Sequence, residues 1–169
     1  PLTLDAMPSY RADRIKDLLN SKKKWDVKSV QALQMDVYSK QAEYILPVIK
    51  DALSNEKMDG VEKRAYDILR EWNLFADVES IGATIFFTVH KNMFEMTLKD
   101  DLSPILYNLI LNTIYSHGFF DKFIVENINS PIWDIKGTEK AEKRRDIIVL
   151  SFKKAISDLR TRLGDDLNN

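Results

Sequence analysis

An all-α fold, an array of about six or seven helices packed by their apolar faces, is predicted by three features of the sequence. Apolar residues recur at three- and four-residue spacing along most of the chain, serine caps precede several of these stretches, and Pro104, Gly118 and Gly164 fall where helices would start or stop. In the segment 8–20, PSYRADRIKDLLN, Ile15, Leu18 and Leu19 share one side with Arg11, and Arg14 lies beside Leu18. Asp13, Lys16 and Asp17 fall opposite. Both guanidinium groups therefore point to the packed side, where a cation needs a specific partner or a route to water.

After the charged connection SKKKW, helical spacing resumes with Val27, Val30, Leu33, Val37, Ile45, Ile49 and Leu53. Pro47 interrupts it and predicts a kink or break over 41–47, because proline removes a ladder bond and crowds the preceding turn. NEKMDG reads as a turn, followed by a stripe of Val61, Ala65, Ile68, Leu69 and Trp72. Ser80 suits the N-cap of IGATIFFTVHKNMFEM, whose apolar residues lie nearly all round. That pattern predicts a central helix, with a strand over TIFFTV as the alternative. A further apolar helix spans 103–115, with Pro104 in its first turn and a stop at Gly118. The stretch FFDKFIVENINSPIWDIKG is less regular. The last helix runs over 138–163 with Ile148, Phe152, Ala155, Ile156, Leu159 and Leu163 as its stripe, ending at Gly164.

At 169 residues a single domain is expected. With 25 Lys+Arg against 26 Asp+Glu, the net charge of -1 gives no global field to attract nucleic acid or an anionic membrane, and neither is expected as a partner. The absence of cysteine excludes disulfides and thiolate chemistry. His90 and His117 stand 27 residues apart without an acidic residue at metal-helix spacing, so no metal is read from them. The pairs Asp100-Asp101 and Asp165-Asp166 fall at helix ends, where carboxylates complement the dipole or face water. Lys22, Lys23 and Lys24 read as a solvated loop. Pro1 carries a secondary amine able to act as a base, but such bases need a walled pocket of a kind built on sheets. A start at Pro rather than Met predicts that the chain has been cut.

The succession YRADRIKDLL, VQALQMDVYSKQA, LREWN, SIGATIFF and SPIWDIKGTEKAEKRRDIIVLSFKKAISDLRTRLGDD resembles, in order and spacing, the helical part of the β-subunit of the penicillin acylase family. This resemblance implies an N-terminal-nucleophile hydrolase, whose Ser, Cys or Thr attacks an amide carbonyl with its own α-amine as base. It further implies a single helical insertion separated from its parent's αββα catalytic core, with the nucleophile and oxyanion asparagine outside the chain. By residue match, Arg14 is the arginine that organises the site and receives the polar part of the substrate. Arg11 belongs to the broader motif and is a supporting binding candidate. Leu33, Gln34, Asp36, Ser39 and Ala42 reproduce a pattern whose polar members cap or brace a helix junction. Asn73 stands where the family usually has Asp, and Trp133, Asp134 and Thr138 match the entry to the last helix. No cofactor is implied for this segment, although some relatives bind calcium, mostly through residues elsewhere. The implied partners are the remainder of the parent enzyme and a small N-acyl substrate, and weak self-association through an uncovered face is expected. In this chain Arg14 is expected to be exposed or held by a substitute partner. An independent helical protein-interaction module is the alternative reading.

Overall fold

The computed structural model describes residues 9–111 and 114–164, with the backbone alone at 114–117. Its helices are α1 Tyr10–Asn20, α2 Val27–Gln34, α3 Lys40–Leu53, α4 Gly60–Glu71, α5 Ile81–Leu98, α6 Pro104–Leu111, α7 Ile114–Glu126 and α8 Arg144–Leu163, with a 3₁₀ turn at Pro131–Trp133. Among the described residues there is no strand, only an isolated antiparallel bridge between Tyr38 and Phe75. No helix among them is long and apolar enough to cross a membrane.

Local chemistry accounts for most boundaries. Asp26, Ser39, Asp59 and Ser80 each accept a hydrogen bond from a first-turn N–H of the following helix. At α4 the arrangement is reciprocal, because the Glu62 carboxylate accepts from the Asp59 N–H. Gly164, at φ 88°, takes the left-handed region where α8 stops.

The α5 segment is a helix, not a strand, and it is central. Ile85, Phe86, Val89, Met93 and Phe94 are buried in one core with Ile147, Ile148, Phe152, Ala155 and Ile156 of α8. Trp133 seals the far side from the 3₁₀ turn, its indole N–H donating to the Asn127 carbonyl at 2.6 Å.

Three expectations are corrected. The break expected over 41–47 lies earlier, in the connection 35–39, and α3 runs unbroken through Pro47. Two backbone bonds hold that connection, Ser39 N–H to the Leu74 carbonyl at 2.8 Å and Ala76 N–H to the Val37 carbonyl at 3.0 Å. Pro47 and Glu43, whose carbonyl loses its partner, lie on the exposed side of α3 and leave that carbonyl to water. Gly118 does not stop a helix, because α7 passes through it to Glu126. Phe120, Phe123 and Ile124 of the supposedly irregular stretch face the core from α7, and their burial outweighs the roughly 1 kcal/mol cost of an internal glycine. The last helix starts at Arg144 rather than 138. Before it, Thr138 Oγ1 donates to Glu142 Oε2, and Glu142 and Asp134 accept the Ile135 and Glu142 backbone N–H groups.

Gly82 allows a close approach between α5 and Trp72. A Cβ built there would stand 2.5 Å from Cγ of Trp72, which packs across the start of α5. Gly82→Ala is expected to destabilise the domain by about 1–3 kcal/mol in chemical denaturation through overpacking. Gly60→Ala, with nothing within 4 Å of its Cβ, is expected to be neutral or slightly stabilising.

Candidate arginine clamp on the first helix

Helix α1 has no fully buried residue. Side-chain polar contacts hold it instead, and most of them start from the opening motif. Arg14 grips Asp36 with a side-on fork, Nε to Oδ1 at 2.9 Å and Nη2 to Oδ2 at 2.7 Å. The side chains are 18% and 10% exposed, so the pair is shielded without being sealed. Asp36 Oδ1 also accepts the Tyr38 N–H at 3.2 Å. Hydrogen bonds from Arg14 hold the Asp36 carboxyl below the usual carboxylate range, against the opposing effect of burial.

The guanidinium carbon of Arg14 lies 4.2 Å from the centroid of Tyr38, which meets Phe75 edge-on at 5.3 Å. The Tyr38 hydroxyl donates to Glu43 at 2.9 Å; burial first, then this carboxylate, raises the phenol pKa. Lys40 bridges Glu43 at 2.6 Å and Asp17 of α1 at 2.9 Å. With Nε and Nη2 engaged, Arg14 Nη1 is the nitrogen left without a hydrogen bond among the described residues.

Arg11 serves the same junction differently. Its Nη1 donates to the Asp36 carbonyl at 2.9 Å, and Nη2 donates to the Leu33 and Gln34 carbonyls at 3.4 Å. These carbonyls lie in the last turn of α2 and just beyond it, where a cation complements the helix dipole.

A second cluster, absent from the sequence reading, lies behind the first. Asp121 of α7 is 0% exposed and receives three donors. Tyr10 Oη donates to its Oδ2 at 3.0 Å, Gln41 Nε2 to the same oxygen at 2.9 Å, and His90 Nε2 faces Oδ1 at 2.6 Å. A carboxylate oxygen can only accept, which places the proton of that contact on Nε2. Burial, followed by the charge of Asp121, raises the Tyr10 pKa strongly. The one available signal was the register of Asp121 between Phe120 and Ile124, a carboxyl on an otherwise apolar helical face.

The remaining matched positions are structural in geometry. Asn73 Oδ1 accepts the Phe75 N–H at 3.0 Å in a local turn, a task an amide performs as well as a carboxylate. Asp100 accepts the Lys136 N–H at 2.7 Å, and Asp101 pairs with the Lys136 ammonium. Pro1, the His117 side chain, Asp165 and Asp166 lie outside the described residues. Among the described residues no three His, Asp or Glu side chains are grouped to hold a metal ion.

The Arg14–Asp36 pair makes stability depend on acid. Because the folded-state pKa of Asp36 is lowered, the unfolded chain binds the proton more readily, so the stabilisation is complete above the ordinary value of 3.8 and is lost as pH falls through the lower folded value. Asp36→Asn is therefore expected to lower the melting temperature most near neutrality and to narrow its gap to the wild type below about pH 4, read by thermal denaturation across pH.

Comparison with curated proteins gives no match. A family model described as penicillin amidase matches residues 1–169, the whole length of the chain. Its helical fold, its opening arginine motif and this match agree, and the chain belongs to the penicillin amidase family.

Proposed function

We propose that this chain is the helical domain of an N-terminal-nucleophile amide hydrolase, acting on β-lactams or other N-acyl compounds, and that Arg14 forms part of its substrate cleft. The nucleophile and the oxyanion asparagine come from other parts of the enzyme. In that reaction the α-amine takes the proton of the nucleophile as it attacks the acyl carbon, and the oxyanion hole holds the negative charge that develops. Arg14 touches the polar part of the substrate rather than the attacking atom. Arg11 has a supporting role, fixing the end of α2 against which Arg14 is set.

The observation that carries this reading is the clamp itself: the Asp36 fork and the Tyr38 ring fix the Arg14 plane, and Nη1 has no hydrogen bond among the described residues. A guanidinium held in this way is a preoriented donor for a carboxylate or amide oxygen. In the parent enzyme, Arg14→Lys is expected to lower kcat/KM for an N-acyl substrate by about 100-fold, because lysine keeps the charge and loses the fork. Unchanged kinetics in a folded variant would assign Arg14 to the scaffold. The chain of 169 residues alone is expected to give no turnover, and measurable amide hydrolysis by it would overturn the division of labour.

One observation favours the alternative of a non-catalytic interaction module. Helix α6 is strongly apolar yet has no fully buried residue, with Ile105 81% and Leu109 61% exposed. Under the leading reading this face packs on the rest of the parent enzyme, and without that cover it pairs weakly with a second copy. Ile105→Glu combined with Leu109→Glu is expected to abolish concentration-dependent association in sedimentation velocity. A wild-type chain that stays monomeric at the highest attainable concentration would remove this support.

A further inference from the structure

The lysine run that reads from sequence as a solvated loop has an unusual setting. Lys22, Lys23 and Lys24 form the turn between α1 and α2, and Lys28 follows on the first turn of α2. Among the described residues none of the four makes an ion pair; Lys50, Lys57, Lys91 and Lys143 make none either, but those stand singly along the chain, whereas these four lie within seven residues. Lys22 donates to Ser29 Oγ at 3.3 Å and stands 5.4 Å from the Trp25 ring. The one local carboxylate, Asp26, is occupied as the cap of α2, accepting the Ser29 N–H at 2.7 Å. A chain of net charge -1 thus concentrates unneutralised positive charge at one corner.

The same corner is apolar and concave. Trp25, Asp26, Val27, Val30, Gln31 and Gln34 line a surface groove of about 550 Å³. Two of the lining residues, Val27 and Val30, are exposed apolar side chains, Val27 at 76%. Trp25 is only half-buried, with its indole N–H on the Leu19 carbonyl at 3.4 Å. Helix α2 buries no residue at all, so these side chains do not serve the core.

We propose that this groove is a docking site for an acidic amphipathic helix of a partner polypeptide, with an apolar side chain of the partner between Trp25 and Val30 and its carboxylates on Lys23, Lys24 and Lys28. Charge complementarity selects the sign of the partner, and the groove selects its shape. The lining mixes the amides of Gln31 and Gln34 with Trp25, Val27 and Val30, whereas an anionic bilayer is met by a continuous apolar helix face. The site is remote in role from the Arg14 clamp, and this inference stands whether or not the amide-hydrolase reading holds.

The test uses the full chain, isotopically labelled, and four probes. These are a synthetic helical peptide with Leu on one face and Glu on the other, the same peptide with Lys for Glu, phosphatidylserine vesicles and phosphatidylcholine vesicles. The acidic peptide is expected to shift backbone amide signals of residues 19–34 saturably, with affinity falling about tenfold or more from low to high salt. Lys23→Glu combined with Lys24→Glu, both exposed and without an ion pair among the described residues, is expected to weaken binding by a similar factor, and Val30→Asp to weaken it with the charges intact. Absence of shifts, shifts outside this segment, equal binding of the Lys peptide, or a response to phosphatidylserine vesicles alone would each overturn the proposal.

Discussion

Four helices meet on one carboxyl group. Asp121 of α7 is buried, and its two oxygens take Tyr10 from α1, Gln41 from α3 and His90 from α5. A carboxylate removed from water at this depth costs several kcal/mol unless its lone pairs are satisfied, so no single donor suffices. The requirement is directional, unlike the burial of Phe86 or Phe152. Rotating any of the four helices by one residue turns its partner by about 100° and leaves the carboxylate short of a donor. An apolar replacement of similar shape would satisfy the core energetically without selecting that one arrangement. The packing of Phe120 against His90 and Phe94, at 5.8 and 5.1 Å between ring centroids, encloses the cluster and keeps water from competing for Asp121.

Helix α1 depends on this constraint more than any other element. It buries nothing fully, so its place is set by Tyr10 on Asp121, Arg11 on the end of α2, Arg14 on Asp36 and Asp17 on Lys40. Contacts of this kind contribute modest stability individually, the exposed ones about 1 kcal/mol or less, yet they fix orientation closely. Hydrophobic packing would hold the helix more strongly and tolerate more sliding. The opening motif is therefore a set of latches, one to each neighbouring element, and Arg14 is positioned by all of them.

What the sequence disclosed, and what it hid, divides along the range of the interactions. The cap at Ser80, the stop at Gly164 and the central place of α5 depend on residues within one or two turns, and they were readable. Gly118 misled because its local meaning, a stop, is overruled by burial of Phe120 and Ile124 farther along the helix. That error also hid Asp121, which cannot be seen as a buried carboxyl until α7 is continuous. Pro47 misled for a related reason: the junction is placed by bonds to residues 74–76, which no local rule anticipates. Arg11 and Arg14 were read as turned to the packed side; Arg14 is partly buried there, whereas Arg11 stays exposed and reaches the end of α2 along the surface. Their partners, 22 to 25 residues away, came only with the fold.

The geometry of Arg14 narrows what kind of group it is. Asp36 neutralises its charge and occupies two nitrogens, and Tyr38 covers one face of the plane. A cation intended to draw in an anion by field alone would be left without an ion pair, as the exposed lysines of the α1–α2 turn are among the described residues. Arg14 is instead a rigid donor of low net field, with one nitrogen in a fixed direction. Under the proposed function, such a group would discriminate by geometry rather than by charge, and would meet a neutral amide oxygen as well as a carboxylate, since neither has to displace Asp36. The pair is costly to dissolve, because release of Arg14 would leave Asp36 shielded and unpaired beside an aromatic ring. Arg14 and Asp36 therefore act as one unit, with the aspartate setting the direction in which the arginine donates.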